Sequence, residues 1–321
     1  MSGNTCIMHV AAFFNHNNIL SGSRCEVRGY VGECHPEHSE VSETLRNIHT
    51  YHVARGTKHV AKKLEVHMNI LFIGDVVGRP GRNYLAMNLQ KLVNDNNIDF
   101  IIVNGENSAG GVGITKSTYD ELLGMGVDMI TLGNHSWAKK EIFEFIEESD
   151  KLVRPANYPK GTPGKGFRIT EKVGKRIAVI NLCGRVFMDC IECPFKIIDE
   201  ILEELKGKTD IIIVDFHAEA TSEKLAMGWY LDGRVKAVLG THTHIQTSDE
   251  RVLPGGTAYI TDVGMTGPRD SILGVDKDIV IRKFITGMPA RFEVASGEAV
   301  LGAVKIALDD NSAVTSIIRI I

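Results

Sequence analysis

The chain has 321 residues, of which 43% are apolar and 24% charged, and its formal net charge is −4. These values fit a globular protein large enough for one big domain or two ordinary ones. They argue against nucleic acid held on a basic face, and no run of about 18 apolar residues marks a transmembrane helix.

The first residues, MSGNTCIMHVAAFFNHNNILSGS, lack a basic start and are not read as a signal peptide. Six cysteines at positions 6, 25, 34, 183, 190 and 193 form no disulfide framework, so a reducing, cytoplasmic location is expected. Composition changes at Met68. Residues 1–67 hold eight of the twelve histidines and three of the six cysteines, with no sustained period of 2 or 3.6. They read as an irregular or disordered extension, with 40–65 as the best helix candidate, or as upstream sequence ahead of a native start at Met68. Cys25, Cys34, His35 and His38 are zinc-type residues, but their spacing matches no standard paired-ligand pattern.

From 68 to 321 the pattern is that of one α/β domain. Apolar runs predict strands at 69–74, 99–103, 128–132, 177–182, 210–215, 236–239 and 257–261. Amphipathic spacing predicts helices at 82–96, 116–124, 138–148, 195–206 and 221–231. Two further strands, 299–307 and 313–320, flank the turn Asp309-Asp310-Asn311-Ser312. The Pro- and Gly-rich stretch 154–166 reads as a loop, and 269–290 as a flap. Early α/β alternation with a β-rich end suggests a layered sandwich, sheets inside and helices outside.

Ligands of α/β sheets gather at the carboxyl ends of strands. The residues just after the predicted strands are Asp75, Glu106 with Asn107, Asn134 with His135, His217, and His242 with His244. Residues 68–321 contain only four histidines, and all four stand at these ends. Mixed carboxylate, amide and imidazole donors suit borderline metals such as iron, manganese or zinc. Seven ligand-type residues exceed the need of one four-coordinate ion, so two metals are expected, as in phosphatases and nucleases. In that chemistry one carboxylate bridges the ions, a bridging hydroxide attacks phosphorus, and the leaving alkoxide needs a proton. Weaker signals are Glu219 and Asp262, which can orient an imidazole, and Arg79 and Arg82, which can touch a phosphate or simply face solvent.

GDVVGRPGR (74–82), VNGENSAGGVGIT (103–115), GNHSW (133–137), VDFHAEATSEK (214–224), the run 240–268 that begins GTHTH, and RFEVASG (291–297) resemble the YmdB-type metallophosphoesterases of the calcineurin-like superfamily. The resemblance covers 68–321. It implies a four-layer α/β/β/α sandwich and a dinuclear site, often iron. It implies phosphodiesterase activity on 2′,3′-cyclic nucleotides, with 3′,5′-cyclic ones as further candidates. By motif, Asp75, Glu106, Asn107 and His244 hold the first metal. Glu106 bridges, Asn134, His217 and His242 complete the second, and His135 is the general acid. A cytoplasmic homo-oligomer with a small phosphodiester substrate is implied, with no membrane partner and no stable nucleic-acid complex. A phosphomonoesterase or nuclease on the same site, or a regulatory binding protein with little turnover, are the alternatives. One departure is Ala138, where the family usually carries Asp, and it puts the positioning of the His135 loop in question.

Overall fold

Apolar residues that alternate between two covered faces set the frame of this protein. The computed structural model describes residues 67–189 and 191–320. The extension expected at 1–67, apart from its last residue, lies outside the described residues, and so do Cys25, Cys34, His35, His38 and the candidate helix 40–65.

The first half of the described chain runs β1 (Met68–Ile73), β2 (Asp75–Val76), α1 (Gly78–Asn96), β3 (Phe100–Asn104), α2 (Lys116–Gly124), β4 (Met129–Thr131), β5 (Leu152–Val153), β6 (Phe167–Lys172) and β7 (Lys175–Cys183). The second half runs α3 (Pro194–Leu205), β8 (Ile211–His217), α4 (Thr221–Leu231), β9 (Ala237–Thr241), β10 (Arg251–Val252), β11 (Ala258–Ile260), β12 (Met265–Pro268), α5 (Lys277–Thr286), β13 (Ala299–Val300), β14 (Ala303–Leu308) and β15 (Val314–Ile320).

Two six-stranded sheets result, ordered β15-β14-β1-β3-β4-β5 and β10-β11-β9-β8-β7-β6, with a small sheet β13-β12-β2 beside them. β1, β3, β4 and β5 are parallel, as are β7, β8, β9 and β11, while the remaining strands of the two large sheets pair antiparallel. Period-2 alternation divides each central strand between two cores. Ile70, Phe72, Phe100, Ile102 and Met129 of the first sheet pack with Ile177, Val179, Ile211, Ile213 and Leu239 of the second. The opposite faces of the same strands carry Leu71, Ile73, Ile101 and Val103, which pack on Leu85 and Leu89 of α1 and Leu122 of α2. In the second sheet Ile180, Leu182, Val214 and Phe216 pack on Ile198 and Leu205 of α3 and Met227 and Leu231 of α4. The order of layers is therefore helices, sheet, sheet, helices. Because both faces of the central strands are covered, their sequences read as continuous apolar runs.

Helix ends follow local rules. Thr115 caps α2 in a reciprocal box with Thr118, Pro194 opens α3, and Asp276 caps α5, which ends at Gly287 with φ 66°. The expected helix 138–148 is instead a short 3-10 helix at Lys140–Glu144 followed by turns. Ile142 and Phe145, three residues apart, are both buried there, which suits three residues per turn, and Phe143 stacks on Trp137 at 5.4 Å. The short strands β2, β5, β10 and β12, the strand β6 and helix α5 are absent from the expected pattern, and the expected strand 299–307 is divided into β13 and β14.

Phe72 is fully buried between the sheets. Phe72→Ala is expected to lower stability by about 3–5 kcal/mol in urea unfolding, and a loss below about 1 kcal/mol would show that the inter-sheet core does not hold the layers together.

Candidate metal centre

The parallel strands of both sheets end at one edge, and the polar residues after them converge there. Asp75 follows β1 through Gly74. Glu106 and Asn107 follow β3, Asn134 and His135 follow β4, His217 closes β8, and His242 and His244 follow β9. Asp75 and His217 are wholly buried, and Glu106 and Asn107 nearly so.

Two groups of contacts share Glu106. In the first, His244 Nε2 lies 3.7 Å from Asp75 Oδ1 and 3.1 Å from Asn107 Nδ2, which is 3.1 Å from Glu106 Oε1 and 3.5 Å from Asp75 Oδ1. In the second, His217 Nε2 lies 3.2 Å from Glu106 Oε1, 2.9 Å from Asn134 Oδ1 and 3.0 Å from His242 Nδ1. Glu106, His217 and His242 offer one ligand atom each, all within 4.8 Å of one another. His135 stands at the rim. Its Nδ1 is 2.9 Å from Asn107 Oδ1 and 3.4 Å from Glu106 Oε1, and its side chain is 40% exposed.

Each ligand-type imidazole turns one nitrogen inward and occupies the other outside. His244 Nδ1 meets the Leu273 carbonyl at 3.0 Å, and His242 Nε2 meets Glu219 Oε2 at 3.2 Å. His217 Nδ1 meets Thr241 Oγ1 at 2.9 Å. Burial works to raise both carboxylates. Hydrogen bonding and charge from His244, followed by charge from His217, nevertheless hold Asp75 below its ordinary range, and the charge of His217 and contacts from both His217 and His135 hold Glu106 well below its own. Burial likewise opposes a proton on His217, but Glu106 and then Asp75 outweigh it and raise that ring to about 9. Burial, followed by the charge of His217, lowers His242 to about 3.

Part of the backbone strain falls here. His242 and His244 have φ of 100° and 66°, and Leu273 has 54°. Each such conformation costs a non-glycine residue on the order of 1–3 kcal/mol. A buried ion pair holds the turn: Lys224 Nζ lies 2.5 Å from Asp262 Oδ2, and the same oxygen accepts from Thr243 N at 3.1 Å and Thr243 Oγ1 at 2.8 Å. His242 N also donates to Asp75 Oδ2 at 3.2 Å. The floor of the centre is equally close. A Cβ on Gly133 would stand 2.2 Å from Glu106 Oε2 and 2.5 Å from His217 Nε2, so only glycine fits between them.

A family model described as YmdB-like protein matches residues 71–320. The chain belongs to the YmdB-like family. It is 55% identical over 245 residues to a Bacillus subtilis (strain 168) protein named 2′,3′-cyclic-nucleotide 2′-phosphodiesterase, a match that covers 76% of this chain and 93% of that relative. A crystal structure of a hypothetical protein from Thermus thermophilus superimposes with a TM-score of 0.75 at 44% identity, covering 79% of this chain and 98% of that one. A structure from Mycoplasma pneumoniae described as a novel phosphatase does so with 0.76 at 37% identity, covering 80% and 94%.

All eight residues singled out in the sequence are brought together in this family member. Their donor set fits cations: two buried carboxylates, three inward imidazole nitrogens and two amides in one cluster. Asn107 is placed with Nδ2 toward this group and Oδ1 toward His135, so a cation held through Asn107 calls for the opposite turn of its amide. Ala138 is exposed, and the His135 loop is held without an acid at that position. Ala138 N donates to the His135 carbonyl at 3.0 Å, His135 N to Glu106 Oε2 at 3.2 Å, and Ser136 Oγ to the Gly133 carbonyl at 2.6 Å. Arg82 is spent on structure, since it pairs with Glu121 at 2.6 Å and donates to the Ser108 carbonyl at 2.5 Å. The 269–290 segment touches the site through the Leu273 carbonyl.

Sequence reasoning missed Lys224, Asn104, Asp215, Thr241 and Leu273. A signal existed for two of them: Asn104 and Asp215 each stand two residues before a site residue, and Asp215 shares a strand face with His217. Lys224 and Leu273 gave no comparable signal, because their partners come from distant elements.

Lys224→Met is expected to destabilise the protein by about 3–5 kcal/mol in urea unfolding, since it leaves Asp262 buried without its counter-charge. A change within about 1 kcal/mol would refute the brace. Gly133→Ala is expected to keep the circular dichroism of the parent and to lose its bound metal. Full metal content in that variant would move the metal centre away from Glu106 and His217.

Proposed function

We propose that this protein is a metal-dependent phosphodiesterase that opens cyclic nucleotides, 2′,3′-cyclic ones first and 3′,5′-cyclic ones as further substrates. The observation that carries the reading is the convergence of strand-end donors from both sheets on the buried Glu106 carboxylate, with His135 at the open rim. The name of the Bacillus subtilis relative supports the substrate class. Asp75, Glu106, Asn107 and His244 would hold one ion, and Glu106, Asn134, His217 and His242 the other. The two contact groups around Glu106 support that division. Oxygen and imidazole donors together suit iron, manganese or zinc. Two such ions, when bound, would supply a water nucleophile at neutral pH and neutralise charge on the phosphoryl oxygens.

The chain's own residues do the rest. Asp75 and Glu106 keep the centre anionic. With its amide turned so that Oδ1 meets the ion, Asn107 would donate from Nδ2 to His135 Nδ1, which leaves the ring proton on Nε2, facing the substrate. As the phosphorus–oxygen bond to one ribose oxygen breaks, His135 gives that oxygen its proton, and a nucleoside monophosphate leaves. Among the described residues no helix is long and apolar enough to cross a membrane. The reading of a small substrate agrees with a net charge of −4.

A second reading, a phosphomonoesterase on the same centre, is favoured by the description of the Mycoplasma pneumoniae structure as a phosphatase. Side-by-side assays on 2′,3′-cyclic AMP, 3′,5′-cyclic AMP, a bis-aryl diester and a mono-aryl ester separate the two. Hydrolysis of the monoester alone would replace the diesterase reading. His135→Ala is expected to keep its metal and lose roughly 10²–10⁴-fold in turnover, and loss of metal instead would make His135 a ligand. His217→Ala is expected to lose metal, and an unchanged metal content there would sink the second ion.

A further inference from the structure

The acceptors on His242 and His244 fix those rings without ambiguity, because a carboxylate and a carbonyl can only accept. The neighbour of His217 is different. Thr241 Oγ1 can donate or accept, so the 2.9 Å contact with His217 Nδ1 does not by itself say which ring nitrogen carries the proton. The answer lies one and two residues further in.

Asn104 Oδ1 accepts from Glu106 N at 3.1 Å, which fixes the orientation of the Asn104 amide. Its Nδ2 therefore points as a donor at Asp215 Oδ2, 3.0 Å away, and more distantly at Thr241 Oγ1 at 3.5 Å and the Leu132 carbonyl at 3.3 Å. Thr241 has a single hydroxyl proton, and Asn104 offers it no acceptor. The short contact of 2.7 Å from Thr241 Oγ1 to Asp215 Oδ1 takes that proton. The oxygen of Thr241 then has only lone pairs left for His217. Asn104, Asp215, His217 and Thr241 are all 0% exposed, so bulk solvent does not reach these groups to rearrange the chain of bonds.

We infer that Thr241, held by Asp215 and Asn104, is a positioning residue that keeps a proton of His217 on Nδ1, so that Nε2 is the nitrogen that gives up its proton to the ion. The inference rests on the metal reading above. It adds the reason that Nε2, and not Nδ1, would offer the lone pair when an ion displaces a proton from this sealed ring. The chain of bonds starts at the backbone of Glu106 and ends on the ring of His217, so the bridging carboxylate and the imidazole across from it are set by one network. Without the hydroxyl, Asp215 loses a donor, His217 Nδ1 loses its acceptor, and the ring is free to turn or to carry its proton on the inner nitrogen. Such outer partners of a ligating histidine are worth roughly 10–100-fold in metal affinity.

The test uses the full chain loaded with Zn²⁺, with affinity measured by competition against a chelator and the His217 ring read by nitrogen-15 NMR. Thr241→Val keeps the shape and deletes the hydroxyl, and Thr241→Ser keeps the hydroxyl. The expected result is a Zn²⁺ affinity about 10–100-fold weaker for Thr241→Val and within a few-fold of the parent for Thr241→Ser. The His217 Hδ1 signal should be slow to exchange in the parent and in Thr241→Ser, and lost or shifted in Thr241→Val. If the Val variant does not fold, Thr241→Ala against Thr241→Ser makes the same comparison. A parent that binds and a hydroxyl-free variant that binds equally well, with Hδ1 unmoved, overturns the role of Thr241 alone. A parent that takes up no Zn²⁺ overturns the metal reading and this inference with it. Neither readout requires turnover of any substrate.

Discussion

Asp75 and Glu106 lie side by side where water does not reach, and this juxtaposition governs the rest of the site. Two carboxylates in a dry interior repel each other, and each has lost its hydration. They persist only because positive or donating groups surround them. His217 and His244 turn nitrogens toward them, Asn107 lends its amide, and the backbone amides of His135 and His242 each donate to one of them. The same pair makes the centre a place for cations. What must be compensated for the chain to fold is what would hold an ion in the proposed function.

The sheets make that juxtaposition possible. Asp75, Glu106, Asn107, Asn134 and His135 come from the first sheet, and His217, His242 and His244 from the second. Between them lies the inter-sheet core of Ile70, Phe72, Ile102, Val179, Ile213 and Leu239. The thickness of that apolar layer sets how far apart the two donor groups stand. Close-packed interiors yield little to compression, so the span across the centre is as fixed as the core beneath it. The turn at His242 and His244 departs from easy backbone geometry to reach this span, and the buried Lys224–Asp262 pair keeps it there.

Much of this was legible before any coordinates. Strand ends can be found from apolar runs, and four histidines out of four at strand ends pick out one edge of the molecule. The layer order followed from strands whose every residue is apolar, which requires cover on both faces. What escaped the sequence depends on contacts between distant elements. Nothing near Lys224 says that its partner is Asp262, and nothing near Leu273 says that its carbonyl meets a histidine 29 positions away. The stretch 138–148 has helical spacing, yet burial of Ile142 and Phe145 and the stacking of Phe143 on Trp137 shape it into a tighter turn. Asp215 was in plain view as a charge inside an apolar strand, but only its neighbours Thr241 and Asn104 give it a meaning.

The division of donors between the sheets also has a temporal side. Leaving His135 aside, the first sheet supplies only oxygen-bearing ligands, and every ligating imidazole arrives with the second. The backbone contact between His242 and Asp75 spans 167 positions of sequence. While the chain is being made, the candidate ligands of the first sheet offer oxygen alone, a set that suits hard cations such as magnesium. Nitrogen donors join only when the second sheet docks, and with them comes the preference for borderline transition metals. Under the proposed function, metal choice at this centre would thus be a property of the finished sandwich.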